Sequence, residues 1–391
     1  MKLLVVTPAY IPAWKYGGVA SAVHSMAQEL TAQGEDVTVY TTDAGLNGNY
    51  DGKQKGFQIL NGVKVHYFKC DCEKPILSRA LTEAIEENIH QFDLVHLAAV
   101  WQPISIGVRR AAVKAGCPYV LAPHGSLNAW PIRYKSLKKY FYFQFVERKT
   151  VRLASGIVYC SQMEMEGSSR FAYEGQTLCN ISNGLNFANW VRNADQAKRW
   201  RAEAGISEDR FLLLYVGRLH HIKGLDLAIS ALTPLHGRNW HLSLIGNDED
   251  GTGTRLVKQV SELGLNDQVS FHPTVSPQVL PAIYSAGDLL ILPSYHENFG
   301  NVVLEALACG CPALVSDQVG VACELDGIRG VGVRKRDLNL WAGALRDALN
   351  GGVEFKVNAA DREELERRFS IENAARIMRE FYHTVISRAR A

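Results

Sequence analysis

The amino-acid sequence predicts an α/β protein made of two successive doubly wound domains. Three observations carry that prediction. Short apolar runs alternate with longer amphipathic stretches, the pattern of a parallel sheet with helices on both faces. The alternation starts again after Asn183-Gly184. With 391 residues, the chain is too long for one ordinary domain and about right for two. A hydrophobic fraction of 47% and a charged fraction of 21% allow sizeable buried cores. A net charge of +2 gives no global reason to expect nucleic acid or membrane.

In chain order, strands are expected at 3–7, 37–41, 63–68, 94–98, 119–122 and 157–160. Gly17-Gly18 opens the first helix, 20–33, where Val23, Met26, Ala27 and Leu30 share a face. Further helices are expected at 78–91 and 104–115. The second series begins with a polar helix at 194–204 and has strands at 212–216, 241–245, 269–271, 289–292 and 313–315. Parallel neighbours need right-handed crossovers, so each series winds into a Rossmann-like domain, and the carboxyl ends of both sheets should face a shared crevice. One or two amphipathic helices close the chain at 361–390, with Phe369, Ile371, Ala375, Met378, Phe381 and Val385 at apolar positions. The expected domains are 1–190, 191–370 and a final helical piece, 371–391.

Eight scattered cysteines show no CxxC or metal-type spacing, which reads as buried free thiols in a reducing compartment. Met1-Lys2 runs directly into the first strand, and no stretch approaches a transmembrane span, so a cytoplasmic location is expected. Internal repeats and low-complexity tracts are absent.

The most informative stretch is 289–317: apolar strand, polar loop, helix, second apolar strand. Glu297 falls in the loop and Glu305 in the early helix that follows Gly300. A helix N-terminus suits an anion, whereas ionised carboxylates only accept hydrogen bonds and so suit hydroxyl groups. A ligand with both phosphate and vicinal hydroxyls, such as a nucleotide-sugar, satisfies both demands.

Other motifs admit two readings each. Gly17-Gly18 can bring backbone close to a phosphate or sugar, or form an ordinary loop. Arg218 and Lys223, at the end of the 212–216 strand, can neutralise a diphosphate, or be solvated charge. His124 ends another strand and can meet a sugar hydroxyl or serve structure. Asp248-Glu249-Asp250 looks like a DxD metal site, but a solvated acidic turn accounts for it, and the other histidines, His220 and His221 among them, lack metal-ligand spacing. Between Arg133 and Arg152, cations interleave with Tyr134, Tyr140, Phe141, Tyr142, Phe143 and Phe145. This reads as a surface for anionic lipid or a lipid-linked substrate, or as a core helix with outward cations; no nucleic-acid motif accompanies it.

Taken together, Glu297 to Glu305 as E-x7-E, Gly217-Arg218 with Lys223-Gly224, Gly17-Gly18, His124-Gly125 and Asn183-Gly184 resemble the family 4 retaining glycosyltransferases of the GT-B fold. The resemblance covers nearly the whole chain. It implies two Rossmann-like domains facing a central crevice, with a C-terminal helix crossing back to the first. It also implies a retaining, metal-independent transfer of a hexosyl group from a nucleotide diphosphate sugar to a glycan or lipid-linked acceptor, with no cofactor, in surface polysaccharide or glycolipid assembly. The catalytic set it implies is His124, Glu297, Arg218 and Lys223. Donor contacts come from Gly17, Gly18, Asn298, Phe299, Gly300, Asn301, Val302 and Glu305, with Glu305 on the ribose diol and Glu297 on the transferred sugar. The segment Gln318-Val319-Gly320-Val321 departs from the family in having one glycine where two are usual, as does Asn298 where glycine is common. The alternatives are a sugar-nucleotide epimerase or phosphorylase-like enzyme on the same plan, and a non-catalytic nucleotide-sugar-binding partner.

Overall fold

Runs such as Leu94–Leu97 and Leu289–Leu292 are buried along their whole length, which only a sheet covered on both faces permits. The computed structural model describes residues 1–13, 16–46, 58–128 and 141–391. By contacts the chain divides into two units, 1–184 with 371–391, and 185–370.

In the first unit the strands of the main sheet are β1 (Lys2–Val6), β2 (Asp36–Thr42), β3 (Gln58–Leu60), β4 (Val63–Phe68), β5 (Leu94–Leu97), β6 (Tyr119–Leu121), β7 (Gly156–Tyr159) and β8 (Thr177–Asn180). Their order is β8-β7-β6-β5-β1-β2-β4-β3, parallel except for β3 against β4. Order reverses at β1, so the loops after β1, β5 and β6 open at the switch point where doubly wound sheets bind ligands. Two further strands of this unit, β3 and β8, had no apolar run to announce them.

The closing helical stretch splits in two, Ala359–Phe369 in the second unit and Ile371–Arg390 in the first. Ile371, Ala375, Met378, Phe381 and Val385 pack into one core cluster with Val23, Met26, Ala27 and Leu30 of the helix Gly18–Ala32. Tyr382 reaches deeper, with its hydroxyl 2.7 Å from His96 Nδ1 on β5.

In the second unit β9 (Phe211–Val216), β10 (Trp240–Ile245), β11 (Val269–His272), β12 (Leu289–Leu292), β13 (Ala313–Ser316) and β14 (Val331–Arg334) form an all-parallel sheet in the order β11-β10-β9-β12-β13-β14. The switch lies between β9 and β12. The loops that leave their carboxyl ends carry Arg218, Lys223 and Glu297. No helix among the described residues is long and apolar enough to cross a membrane.

Candidate active site

The second unit gathers its site from two loops that are laced together. After β9, Gly217 leads into Arg218, and a short helical turn, His221–Lys223, precedes the helix Leu225–Leu232. A Cβ at Gly246, after β10, would lie 1.8 Å from the Gly217 carbonyl, so the two strand ends approach this closely only with glycine there. After β12, Tyr295 N donates to Ile222 O at 2.8 Å, and Lys223 Nζ makes an ion pair with Glu297 Oε2. The cation and carboxylate that the sequence reading assigned to diphosphate and sugar therefore hold each other. Both are mostly buried, at 14% and 22% exposure, so neither charge is left bare in the folded chain. Arg218 is likewise paired, Nη1 to Glu249 Oε2 at 2.5 Å, but this pair is about half exposed and is worth roughly 0–1 kcal/mol, so an arriving anion can displace it.

The loop that carries Glu297 is fixed by the segment after β13. Glu297 N donates to Gln318 O and Gly320 N to Glu297 O, both at 2.9 Å, and Val321 N donates to Phe299 O at 2.8 Å. The Phe299 side chain is buried, so this residue can offer only backbone to a ligand. Gly300 turns the chain into the helix Asn301–Ala308 at φ 96°, and a Cβ there would sit 2.7 Å from Val319 Cγ1. Val319, in the segment 318–321 that has a single glycine, is buried against that space. Asn301 and Val302, in the first turn, remain partly exposed beside the helix N-terminus.

Glu305 lies one turn further on, where Tyr284 Oη donates to its Oε2 at 2.9 Å. Burial pushes its carboxyl group up to about 7, and the Tyr284 hydrogen bond only partly opposes this. A ligand hydroxyl donating to Glu305 would favour the ionised form, so ligand binding and deprotonation are linked there.

The acidic turn that follows β10 is occupied by local structure. Asp248 Oδ2 accepts from Thr254 N at 3.1 Å at the start of the helix Thr252–Glu262, Glu249 holds Arg218, and Asp250 Oδ1 accepts from Thr252 N at 3.1 Å. The histidines dismissed on spacing do come together with it. Among the described residues, His220, His221 and Asp250 form the one group whose ligand atoms could hold a metal ion, all within 4.8 Å of one another. His220 Nδ1, however, accepts from Ile222 N at 3.2 Å. Its neutral ring then carries the proton on Nε2, the atom that would have to bind the ion, which argues against that use.

In the first unit His124 lies in the loop after β6 at φ 47°, an unusual backbone for a residue with a Cβ. Its Nε2 is buried with no partner among the described residues. Burial lowers its pKa, and the negative charge of Glu164 opposes that. His124 borders a pocket of about 200 Å³ that also takes in Tyr16, Val19, Gln102 and Ser126. Gly17, at φ 75°, and Gly18 start the helix Gly18–Ala32 and lie in sequence between Tyr16 and Val19 of that lining.

Two groups escaped the sequence reading. Tyr284 gave no signal, being one aromatic among apolar helix positions. Glu164 was legible as the last residue of Ser161-x-x-Glu164, a helix-start pattern after β7, and Ser161 does cap the helix Gln162–Ser168. Of the basic-aromatic segment, residues 133–140 lie outside the described residues. In the remainder the aromatics divide. Phe143 is buried, 4.8 Å from Phe171 between ring centroids, whereas Phe145 is 74% exposed and Arg148, Lys149 and Arg152 face solvent.

Comparison with known proteins agrees with this architecture. The profile "Glycosyl transferase 4-like domain" matches residues 17–184, and "Glycosyl transferases group 1" matches residues 196–366. The D-inositol 3-phosphate glycosyltransferase of Mycolicibacterium smegmatis is 34% identical over 155 residues, a stretch that covers 38% of this chain and 35% of that protein. The chain thus spans little more than a third of that relative. A glycosyltransferase of Methanocaldococcus jannaschii is 26% identical over 396 residues, with 96% of each chain covered. Among solved structures, Alr3699/HepE of Anabaena, crystallised with UDP and glucose, superposes with a TM-score of 0.77 at 19% identity, over 97% of this chain and 98% of that one. The chain belongs to the group 1, family 4 glycosyltransferases and has their GT-B fold of two Rossmann-like units.

Proposed function

We propose that this glycosyltransferase takes a hexosyl group from a nucleotide diphosphate sugar and transfers it, with retention of configuration, to a glycan or lipid-linked acceptor. The observation that carries the reading is the Lys223–Glu297 pair in the second unit, on a loop that leads into the helix Asn301–Ala308, whose second turn carries Glu305. Cations and a helix N-terminus suit the diphosphate, and Glu305 suits a ribose diol. On donor binding, Lys223 turns from Glu297 towards the diphosphate, which frees Glu297 to accept from sugar hydroxyls. Arg218 exchanges Glu249 for phosphate in the same way. Catalysis then comes from orientation and from stabilising the departing diphosphate, with His124 touching sugar or acceptor. The complexes of Alr3699/HepE with UDP and with UDP-glucose support a uridine diphosphate sugar as the donor to try first.

The reaction proceeds without a metal in this reading, because protein cations meet the diphosphate. Arg148, Lys149 and Arg152 would hold the enzyme against anionic lipid at the inner membrane face during surface polysaccharide or glycolipid assembly. Thermal-shift measurement against UDP, GDP, ADP and their common sugars is the deciding experiment, since a ligand of the folded state raises its apparent stability. Stabilisation by one nucleotide sugar that disappears in Glu305→Ala supports the assignment. Stabilisation by none of them, or equal stabilisation of the variant, rejects it. Turnover unaffected by chelator supports the metal-free route, and loss that added divalent cation restores rejects it. Flotation with anionic liposomes at low salt, compared with charge reversal at Arg148, Lys149 and Arg152, decides the membrane claim.

A further inference from the structure

His124 lies in a backbone region that a residue with a Cβ keeps only when its surroundings enforce it. The enforcing group comes from another crossover. Glu164, 1% exposed, accepts from Gly125 N through one carboxylate oxygen and from Cys160 N through the other, the latter at 2.8 Å. Its own N–H donates to Ser161 Oγ at 3.1 Å, which seats it in the first turn of Gln162–Ser168. The residue after His124 is thereby tied to the end of β7, while Nε2 of the ring keeps no partner among the described residues.

We propose that Glu164 is the positioning residue of this enzyme: its carboxylate clamps the loops after β6 and β7 so that the His124 imidazole presents a fixed, uncommitted Nε2 to the transferred sugar or acceptor. The proposal rests on the reading of His124 as a substrate-touching group. Glu164 also acts on the ring by charge, since its carboxylate opposes the lowering of the His124 pKa by burial. The other titratable groups around this pair are His96, which feels the His124 charge and is bonded to the Tyr382 hydroxyl, Tyr159, which feels the Glu164 charge, and Cys160, whose backbone is clamped.

The test uses the full chain with Glu164→Gln and Glu164→Asp, and follows the His124 ring by NMR titration and UDP release from UDP-glucose. Glutamine keeps the shape but turns an NH2 group towards one of two N–H donors and removes the charge. Its His124 titration moves to lower pH, and kcat falls about 100-fold, the scale of a misplaced reacting group. KM for UDP-glucose and the thermal shift given by UDP stay within about twofold, because nucleotide contacts belong to the other unit. Aspartate keeps the charge on a shorter arm, so its titration stays near wild type while kcat falls by a smaller factor; it also serves if glutamine prevents folding. A wild-type His124 titration in folded Glu164→Gln, or wild-type kcat in Glu164→Asp, overturns the proposal. So does a parallel loss of kcat, KM and UDP stabilisation, which marks a structural role only. If His124→Ala keeps full kcat, it is the reading of His124 that fails, whatever the His124 titrations in the Glu164 variants show.

Discussion

The two units share a fold plan and meet the demands of a site in opposite ways. In the second unit the charged groups are spent on each other: Lys223 on Glu297, Arg218 on Glu249, the acidic turn on helix starts and a histidine. In the first, the pocket lining is mostly small and apolar, and its one histidine keeps an unsatisfied ring nitrogen behind a backbone clamp. A highly charged ligand needs cations that stay solvated or paired until it arrives, since a bare buried charge costs several kcal/mol. A neutral hydroxyl needs only one well-aimed group, and a buried neutral imidazole costs far less to hold in wait.

The contrast breaks most sharply if the units are perturbed one at a time. Phe381→Ala removes a large buried side chain that Ile371–Arg390 contributes to the first unit's core and is expected to cost about 3–5 kcal/mol. Thermal unfolding should show that loss while the Kd for UDP, measured at a temperature where the variant is folded, stays within about twofold. A large loss of UDP affinity would mean that nucleotide binding is not a property of the second unit. Lys223→Ala removes the cation proposed for the diphosphate and leaves Glu297 a mostly buried carboxylate without that ion pair; transfer from the donor should fall about 10²–10³-fold in kcat. Retained turnover would make the Lys223–Glu297 pair structural.

Glu305 supplies a subtler test through pH. Its folded-state carboxyl is raised to about 7, so the neutral form predominates below that pH and the ionised, hydroxyl-accepting form above it. Donor affinity is therefore expected to rise about tenfold from pH 6 to pH 8, with proton release, as titration calorimetry in buffers of different ionisation heat would show. Glu305→Gln should flatten the dependence. The same raised value makes the free protein's Glu305 contribution to stability complete below the unfolded value and lost as pH rises through about 7. The smallest effect concerns Glu249→Gln, which releases Arg218 from a half-exposed pair worth roughly 0–1 kcal/mol. Donor should bind up to about fivefold more tightly, and weaker binding would show that Glu249 aims the guanidinium rather than competing for it.

Much of the fold was legible because parallel strands buried on both faces must be apolar throughout. Residues 94–98, 119–122, 289–292 and 313–315 could hardly be anything else, and β5, β6, β12 and β13 lie there. Thr177–Asn180 and Val331–Arg334 escaped because each is a sheet edge, paired on one side only, with several partly exposed side chains and no apolar run. The helix Leu338–Leu349 was passed over although Asp337 caps it, a local signal that was there to be used. In the site, Gly300 was legible as a turn into a helix, but the reason it cannot be another residue, the Val319 methyl group beneath it, was not.

By itself the sequence determined the fold class and the family resemblance. Alternating apolar runs dictate two doubly wound units, and strand-end glycines, cations and the spaced pair Glu297 and Glu305 carry the resemblance to the glycosyltransferase family, because those properties are local and can be read along the chain. Only the tertiary structure decided which groups meet. Lys223 and Glu297 are 74 residues apart, and Gly125 and Glu164 are 39 apart, so their pairing depends on crossovers that bring separate strand ends to one sheet edge. The burial that raises Glu305 and lowers His124 likewise belongs to the packed molecule, since desolvation has no meaning for an isolated stretch of chain.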